Sequence, residues 1–241
     1  MDLEIITNDL LNELRPLRFG LPITHVYNPL EYAQAPYLRY LTLYASPPKE
    51  VLLLGMNPGP WGMAQTGVPF GEVNAVREWL GIEAPVNKPR EMHPKRPVYG
   101  FACPRSEVSG KRLWGWAQKT FGTPQRFFSR FFVANYCPLL FIEANGRNRT
   151  PANLPSAERK PLLAACDRAM RRTIEWIHPH AVVGIGQFAT QRAQVALLGM
   201  DVTIGTIAHP SPANPKANRG WARTITSELE ALGIEIKGIN Q

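Results

Sequence analysis

Three polar side chains stand where this chain could do chemistry. Asn57, Asn135 and His209 each fall at or just past the end of an apolar run, and Pro or Gly follows each within a few residues. Proline presets the backbone and glycine frees it, so such turns hold a polar side chain still, as a preorganised site requires. An amide offers one donor group and one acceptor, and an imidazole donates, accepts or titrates near neutrality. Together they offer neutral-amide and imidazole chemistry held in fixed positions.

The residues around them exclude other chemistries. Only four aspartates occur (Asp2, Asp9, Asp167, Asp201), and none lies in the loops that carry the three residues; Glu72 is the acidic residue beside them. A two-metal nuclease or phosphatase needs clustered carboxylates, so that class is disfavoured and no metal or cofactor is expected. His178 and His180 flank a proline at a helix end and read as structural. Ser211 stands in no nucleophile elbow, and Cys137 has no evident partner. The run Gly55 to Gly71 is rich in Gly and Pro but lacks a P-loop ending and the dinucleotide spacing. Taken alone, it reads equally as an elaborate turn.

The elements that must position these residues alternate between strand and helix. Glu50–Gly55, Phe131–Asn135, Ala181–Gly186 and Val202–Ile207 are short apolar runs of the kind found in buried parallel strands. Helical spacing predicts helices over 157–178, from Gln187 to Leu198, and from Ala222 to Leu232, with a helical stretch near Val73–Leu80. Before the first strand, Leu10, Leu11 and Leu14 share one helical face, and Tyr37 to Tyr44 is apolar enough to pack on a core. The fold class is therefore α/β, one domain over 1–241, with residues 1–20 expected as a peripheral N-terminal extension. In open α/β sheets ligands bind beyond the carboxyl ends of the strands, where Asn57, Asn135 and His209 fall.

Composition narrows the partner. The 241 residues carry 27 Lys and Arg against 19 Asp and Glu, a net charge of +8 that favours a polyanion, nucleic acid first. The 23 prolines and 19 glycines imply many shaped loops. Cys103, Cys137 and Cys166 form no close pair, so neither a disulfide framework nor a metal cluster is expected. No apolar run is long enough to cross a membrane, and Asp2 and Glu4 stand where a secretion signal would be basic. The expected protein is a monomer that is not secreted, working in the cytoplasm or nucleoid of a bacterium or in a eukaryotic nucleus.

The longer motifs carry a resemblance. GMNPGPWGMAQTGVPFGEV (55–73) and HPSPANPKANRGW (209–221) resemble the two signature motifs of the uracil-DNA glycosylase superfamily, in its single-strand-selective monofunctional branch. CPRSEVSGKRLWGW (103–116), NYCPLLF (135–141) and NGRNRTPANLP (145–155) are similar to the same family in the same order. The resemblance runs from about residue 20 onward. It implies a central four-stranded parallel sheet flanked by helices. It also implies hydrolysis of the N-glycosidic bond of uracil, and of 5-modified uracils such as 5-hydroxymethyluracil, in single- and double-stranded DNA.

Site roles follow from the same resemblance. Asn57 and His209 match the catalytic pair, one orienting water and the other stabilising charge on uracil O2. Asn135 matches the reader of the uracil edge and Phe70 the ring on which the flipped base stacks. The alternative for Asn135 is a strand-end cap, and that for Phe70 is loop core. Met56, Gly59 and Met63 align with base-pocket residues, the last two beside the pyrimidine 5-position, where glycine is expected to leave room for a substituent.

Pro212, Ala213, Asn214, Lys216, Asn218 and Arg219 fall in the wedge that fills the gap left by a flipped base. Animal members carry Phe at Trp61, Arg at Ala213 and Gln at Lys216. Lys216 raises Schiff-base chemistry at the abasic site, although a monofunctional enzyme is expected. Two other readings remain at this point: a preference for deaminated purines, and a damage-binding protein without catalysis. Basic residues also cluster at Lys88–Arg96, Lys111–Arg112 and Arg147–Arg149, as candidate phosphate contacts, and at Arg168–Arg172, as a solvated helix face.

Overall fold

The computed structural model describes residues 2–237. The first half contains α1 (Leu3–Leu14), β1 (Ile23–Tyr27), α2 (Pro29–Tyr32), α3 (Gln34–Tyr44), β2 (Val51–Gly55), α4 (Met63–Thr66), α5 (Val108–Phe121) and α6 (Pro124–Phe128). There follow β3 (Phe131–Asn135), β4 (Leu140–Glu143), β5 (Asn148–Arg149), α7 (Ser156–Ile177), β6 (Ala181–Ile185), α8 (Gln187–Ala196), β7 (Thr203–Ile207) and α9 (Trp221–Ala231). The stretch read as helical near 73–80 is one short π-helical turn, Ala75–Trp79.

The four apolar runs form a single parallel sheet in the order β3-β2-β6-β7. β2 and β6 are buried at every position, as central strands covered on both faces must be. From β2 the chain crosses outward to β3, then back over β2 to β6 and β7. Right-handed crossovers in opposite directions put their helices on opposite faces. Accordingly α5, α6 and α9 pack together, while α1, α7 and α8 form a second group. The strand order reverses direction at β2, where a doubly wound sheet opens a crevice for a ligand.

Three further features depart from the sequence reading. A second sheet, antiparallel and ordered β1-β4-β5, lies beside the first. Its main ladder joins Ile23–Tyr27 to Leu140–Glu143, segments far apart in the chain with no hairpin turn between them, so nothing local announces it. The N-terminal residues are also not peripheral. Asp2 caps α1 by accepting from the Ile5 N–H (3.0 Å), and Leu3, Ile6, Leu10 and Leu14 are buried in the main core. Each such side chain stabilises the fold by about 1.5–3 kcal/mol when fully buried. Arg172 pairs with Asp9 (2.7 Å) and Arg168 with Glu13, so the basic face of α7 is bound to α1 and not simply solvated. No helix among the described residues is long and apolar enough to cross a membrane.

Candidate active site

Because the four strands are parallel, their carboxyl ends and the loops beyond them share one edge. Gly55 of β2 stands in register with Asn135 of β3. Pairing continues past both strands, with Tyr136 N–H donating to the Gly55 carbonyl and Cys137 N–H to that of Met56, each 2.9 Å. The end of β7 is anchored to α9: Ala208 N–H donates to Glu228 (2.6 Å), and the Trp221 indole donates to the Ala208 carbonyl (2.7 Å). Asn57, Asn135 and His209 therefore emerge on one rim.

The amide of Asn57 is oriented by its surroundings. Its Nδ2 donates to the Leu139 carbonyl (3.0 Å), which leaves Oδ1 as an acceptor for water. The Asn135 amide has a weaker tie, with Nδ2 resting 3.1 Å from the Met63 thioether sulfur. Sulfur is a poor acceptor, so a carbonyl oxygen arriving at that spot displaces it readily. Behind Asn135 and Met63 lies a cavity of about 80 Å³, closed by Leu3 and Ile6 of α1 and Met170 of α7, so α1 also backs the site.

Gly55 makes the convergence possible. A β-carbon at this position would lie 2.3 Å from Asn135 Oδ1 and 2.6 Å from the Phe70 ring, so both side chains occupy the space that any other residue would take. Gly55→Ala is expected to lower kcat/KM for base release tens-fold, from the roughly 1–3 kcal/mol cost of overpacking. Steady-state kinetics with an unchanged circular-dichroism spectrum would check it, and wild-type kinetics would remove Gly55 from the site.

Phe70 is held in a left-handed conformation (φ 53°), which a bulky residue adopts only when its surroundings enforce it. Its carbonyl accepts from Glu72 N–H (2.7 Å) and from the Trp114 indole (3.0 Å), and a β-carbon on Gly110 would come within 2.1 Å of that oxygen. The buried ring so placed lies 6.4 Å from the His209 imidazole, centroid to centroid.

His209 presents one defined tautomer. Ser211 N–H donates to Nδ1 (3.1 Å), so Nδ1 carries a lone pair and the ring proton sits on Nε2. Burial pushes the imidazole below its ordinary pKa, in agreement with a neutral ring. The loop that follows is braced from within. Asn214 donates to the His209 carbonyl (2.9 Å) and Asn218 to that of Pro212 (2.8 Å). Pro212, Ala213, Lys216 and Arg219 remain exposed on its outer side. Arg112 donates to the Pro210 carbonyl and to Asn218, both 2.8 Å, and thus supports this loop instead of standing free for a phosphate. Arg149 is likewise committed, to Glu143 (2.8 Å) and to the Asn153 carbonyl (3.0 Å).

The structure adds an acid that sequence reasoning passed over. Glu107, at the start of α5, inserts its carboxyl group beneath the 57–63 loop. A β-carbon on Gly59 would lie 2.4 Å from it and one on Gly62 only 1.6 Å. The room that Gly59 was expected to leave is therefore filled, on its β-carbon side, by this carboxyl. One oxygen of Glu107 is buried without a hydrogen-bond partner. Burial first, and the neighbouring buried Glu72 second, raise the carboxyl pKa to about 7. Gln65 and Thr66, both fully buried, were also missed. Thr66 Oγ1 donates to the Gly71 carbonyl (3.0 Å), closing the loop that carries Phe70. Their four-residue helix is half polar and lies in a run that reads as a turn, so no apolar pattern pointed to their burial.

Comparison with known proteins identifies the family. The profile of the Uracil DNA glycosylase superfamily matches residues 43–229. The chain is 52% identical over 224 residues to a rat (Rattus norvegicus) protein named single-strand selective monofunctional uracil-DNA glycosylase, covering 92% of this chain and 81% of the relative. A cattle (Bos taurus) protein of the same name is 50% identical over 233 residues, covering 96% and 85%. The crystal structure of wild-type Pedobacter heparinus SMUG2 superposes with a TM-score of 0.65 at 18% identity, over 95% of this chain and 98% of that one, and so shares the fold.

Proposed function

This chain belongs to the uracil-DNA glycosylase superfamily and is a uracil-DNA glycosylase, a hydrolase of N-glycosyl bonds; from that premise we propose how its residues perform the reaction. The observation that carries the reading is the convergence of Phe70 and Asn135 above Gly55, with a neutral His209 beside the Phe70 ring.

A base inside a duplex is out of reach, so the nucleotide is extruded into the pocket at a cost of a few kcal/mol. Stacking on Phe70 offsets much of that cost, at about 1–3 kcal/mol per base. Asn135 donates from Nδ2 to uracil O4, replacing its contact with Met63, and accepts from N3–H at Oδ1. Cytosine presents the opposite pattern along that edge and leaves the amide unpaired, which is how a fixed amide rejects it.

As the bond between C1′ and N1 breaks, its electron pair moves into the uracil ring and negative charge grows on O2. The Nε2–H of His209 donates to that oxygen, with the tautomer set by Ser211. Asn57 Oδ1 holds the water that adds to C1′. The added water releases one proton to solvent and the departing uracil anion takes one up, which balances the hydrolysis and leaves an abasic site and free uracil. An amide cannot act as a strong base, so Asn57 works by orientation. We extend the reading to uracil and 5-hydroxymethyluracil in both single- and double-stranded DNA, attacked by a monomer, with Met56, Gly59 and Met63 shaping the pocket wall and the 212–219 loop as the wedge.

The test is a single assay. End-labelled oligonucleotides containing one uracil or one 5-hydroxymethyluracil, single- and double-stranded, are incubated with the protein in chelator and then cleaved with alkali. Alkali-dependent cleavage of both bases is expected. Cleavage at uracil alone would remove the 5-substituted substrate, and binding without cleavage would leave a passive reader of damage. Trapping of a DNA adduct by borohydride would replace water by Lys216 as the nucleophile.

A further inference from the structure

Beside the 57–63 loop an open trough runs across the surface, walled by three prolines and by Trp61, Lys95, Arg96, Tyr99 and Arg105. Three of its residues are cationic and no carboxylate lines it. The guanidinium of Arg105 lies over the Trp61 ring at 4.5 Å and that of Arg96 at 5.5 Å from the ring centre. A guanidinium laid on an indole uses its flat face and keeps its N–H edge for another ligand. Arg105 makes no side-chain hydrogen bond or ion pair among the described residues. Arg96 donates one N–H to the Lys95 carbonyl (2.9 Å), but its Nε is buried without a partner.

The trough is fixed rigidly to the reaction site. Gln65, fully buried, donates to the carbonyls of Pro60 (2.8 Å) and Pro97 (3.0 Å) and accepts from Tyr99 N–H (2.8 Å). It thereby joins the loop carrying Asn57 to the strip carrying Arg96 and Tyr99. Tyr99 is 56% exposed and lines the trough as its aromatic residue beside Trp61.

We propose that this trough seats the DNA strand flanking the target nucleotide, with Arg105 and Arg96 taking phosphodiester oxygens and Tyr99 stacking an unpaired base. The ligand class is the single-stranded phosphodiester backbone. A row of cations with an interleaved aromatic is what such a strand requires, and every base has a face to stack whatever its sequence. A base paired in a duplex keeps its own neighbours and gains nothing from Tyr99, so the aromatic favours the unpaired strand. The proposal rests on the reading of this protein as a DNA glycosylase.

The experiment measures binding of a single-stranded oligonucleotide carrying an uncleavable 2′-fluoro-deoxyuridine as a function of salt. For single strands each phosphate contact contributes about 0.7 to the slope of log K against log salt. Arg105→Gln is expected to reduce the slope by about 0.7, with kcat on the uracil substrate unchanged and KM raised. Lys119→Gln, exposed at the far end of α5, is expected to leave the slope as it was. Replacing flanking phosphates one at a time by neutral methylphosphonates is expected to find one whose loss weakens the wild type but not Arg105→Gln. Tyr99→Ala is expected to weaken single-strand binding roughly tenfold with little effect on duplex. An unchanged slope in Arg105→Gln, or equal sensitivity of wild type and variant to every methylphosphonate, overturns the proposal. If the wild type releases no base while the Arg105 effect is present, the glycosylase reading fails and the trough stands. If base release is normal and the Arg105 effect is absent, the trough alone fails.

Discussion

His209→Ala is expected to lower kcat for uracil release by about 10²–10³-fold, the loss typical of one donor aimed at a developing oxyanion. Binding of single-stranded DNA should remain near wild type, because the imidazole contributes most when the bond is breaking. Asn57→Ala should fall by a similar factor for a different reason, since its Nδ2 tie to the Leu139 carbonyl aims Oδ1 at water and alanine offers no acceptor. The two are distinguished by pH. Burial holds the His209 pKa below its ordinary 6.5, so the ring stays neutral at pH 7 and takes a second proton only in more acid solution. That proton must go to Nδ1, where it confronts the Ser211 N–H and costs the bond that sets the ring. Wild type and Asn57→Ala should therefore share an acid limb in kcat with its midpoint below 6.5, and His209→Ala should lack it. Wild-type turnover in either variant would refute the assignment of that residue.

The second large effect concerns stability and Glu107. Its carboxyl titrates near pH 7 in the folded chain against an ordinary 4.5. Between those values the folded protein holds a proton that the unfolded chain has released, so stability declines as pH rises from about 4.5 to about 7 and is level above. At about 1.4 kcal/mol per unit, the deficit at pH 8 amounts to at most about 3 kcal/mol. Glu107→Gln keeps the shape beneath Gly59 and Gly62 and removes the charge. The variant should melt higher than wild type at pH 8, by up to about 6–12 °C for a domain of this size, and close to wild type at pH 4.5. Thermal denaturation at the two pH values is the measurement. An equal difference at both would show that Glu107 is already neutralised by another partner.

Much of the candidate site was legible because its signals are local. Pro and Gly close behind Asn57, Asn135 and His209 stop apolar strands and stiffen the turns. Since parallel strands must share an edge, the three residues could be placed together without knowledge of a single distance. The 212–219 loop was expected to act as a wedge, and in the structure Asn214 and Asn218 use their amides on bonds to the His209 and Pro212 carbonyls. Arg112 and Arg149, expected as candidate phosphate contacts, prove to be tied down. A sequence shows which side chains carry charge and not which of them have already spent it.

By itself the sequence determined the four parallel strands, the helices α7, α8 and α9 and the polar residues at the strand ends, since periodicity and chain stops depend on near neighbours. The tertiary structure alone decided where Glu107 went, how Phe70 is held at positive φ, and that the N-terminal leucines close the back of the pocket. It also decided the pairing of β1 with β4. Each of these joins segments distant along the chain. Their energies come from burial and close approach across the fold, which no local pattern of residues records.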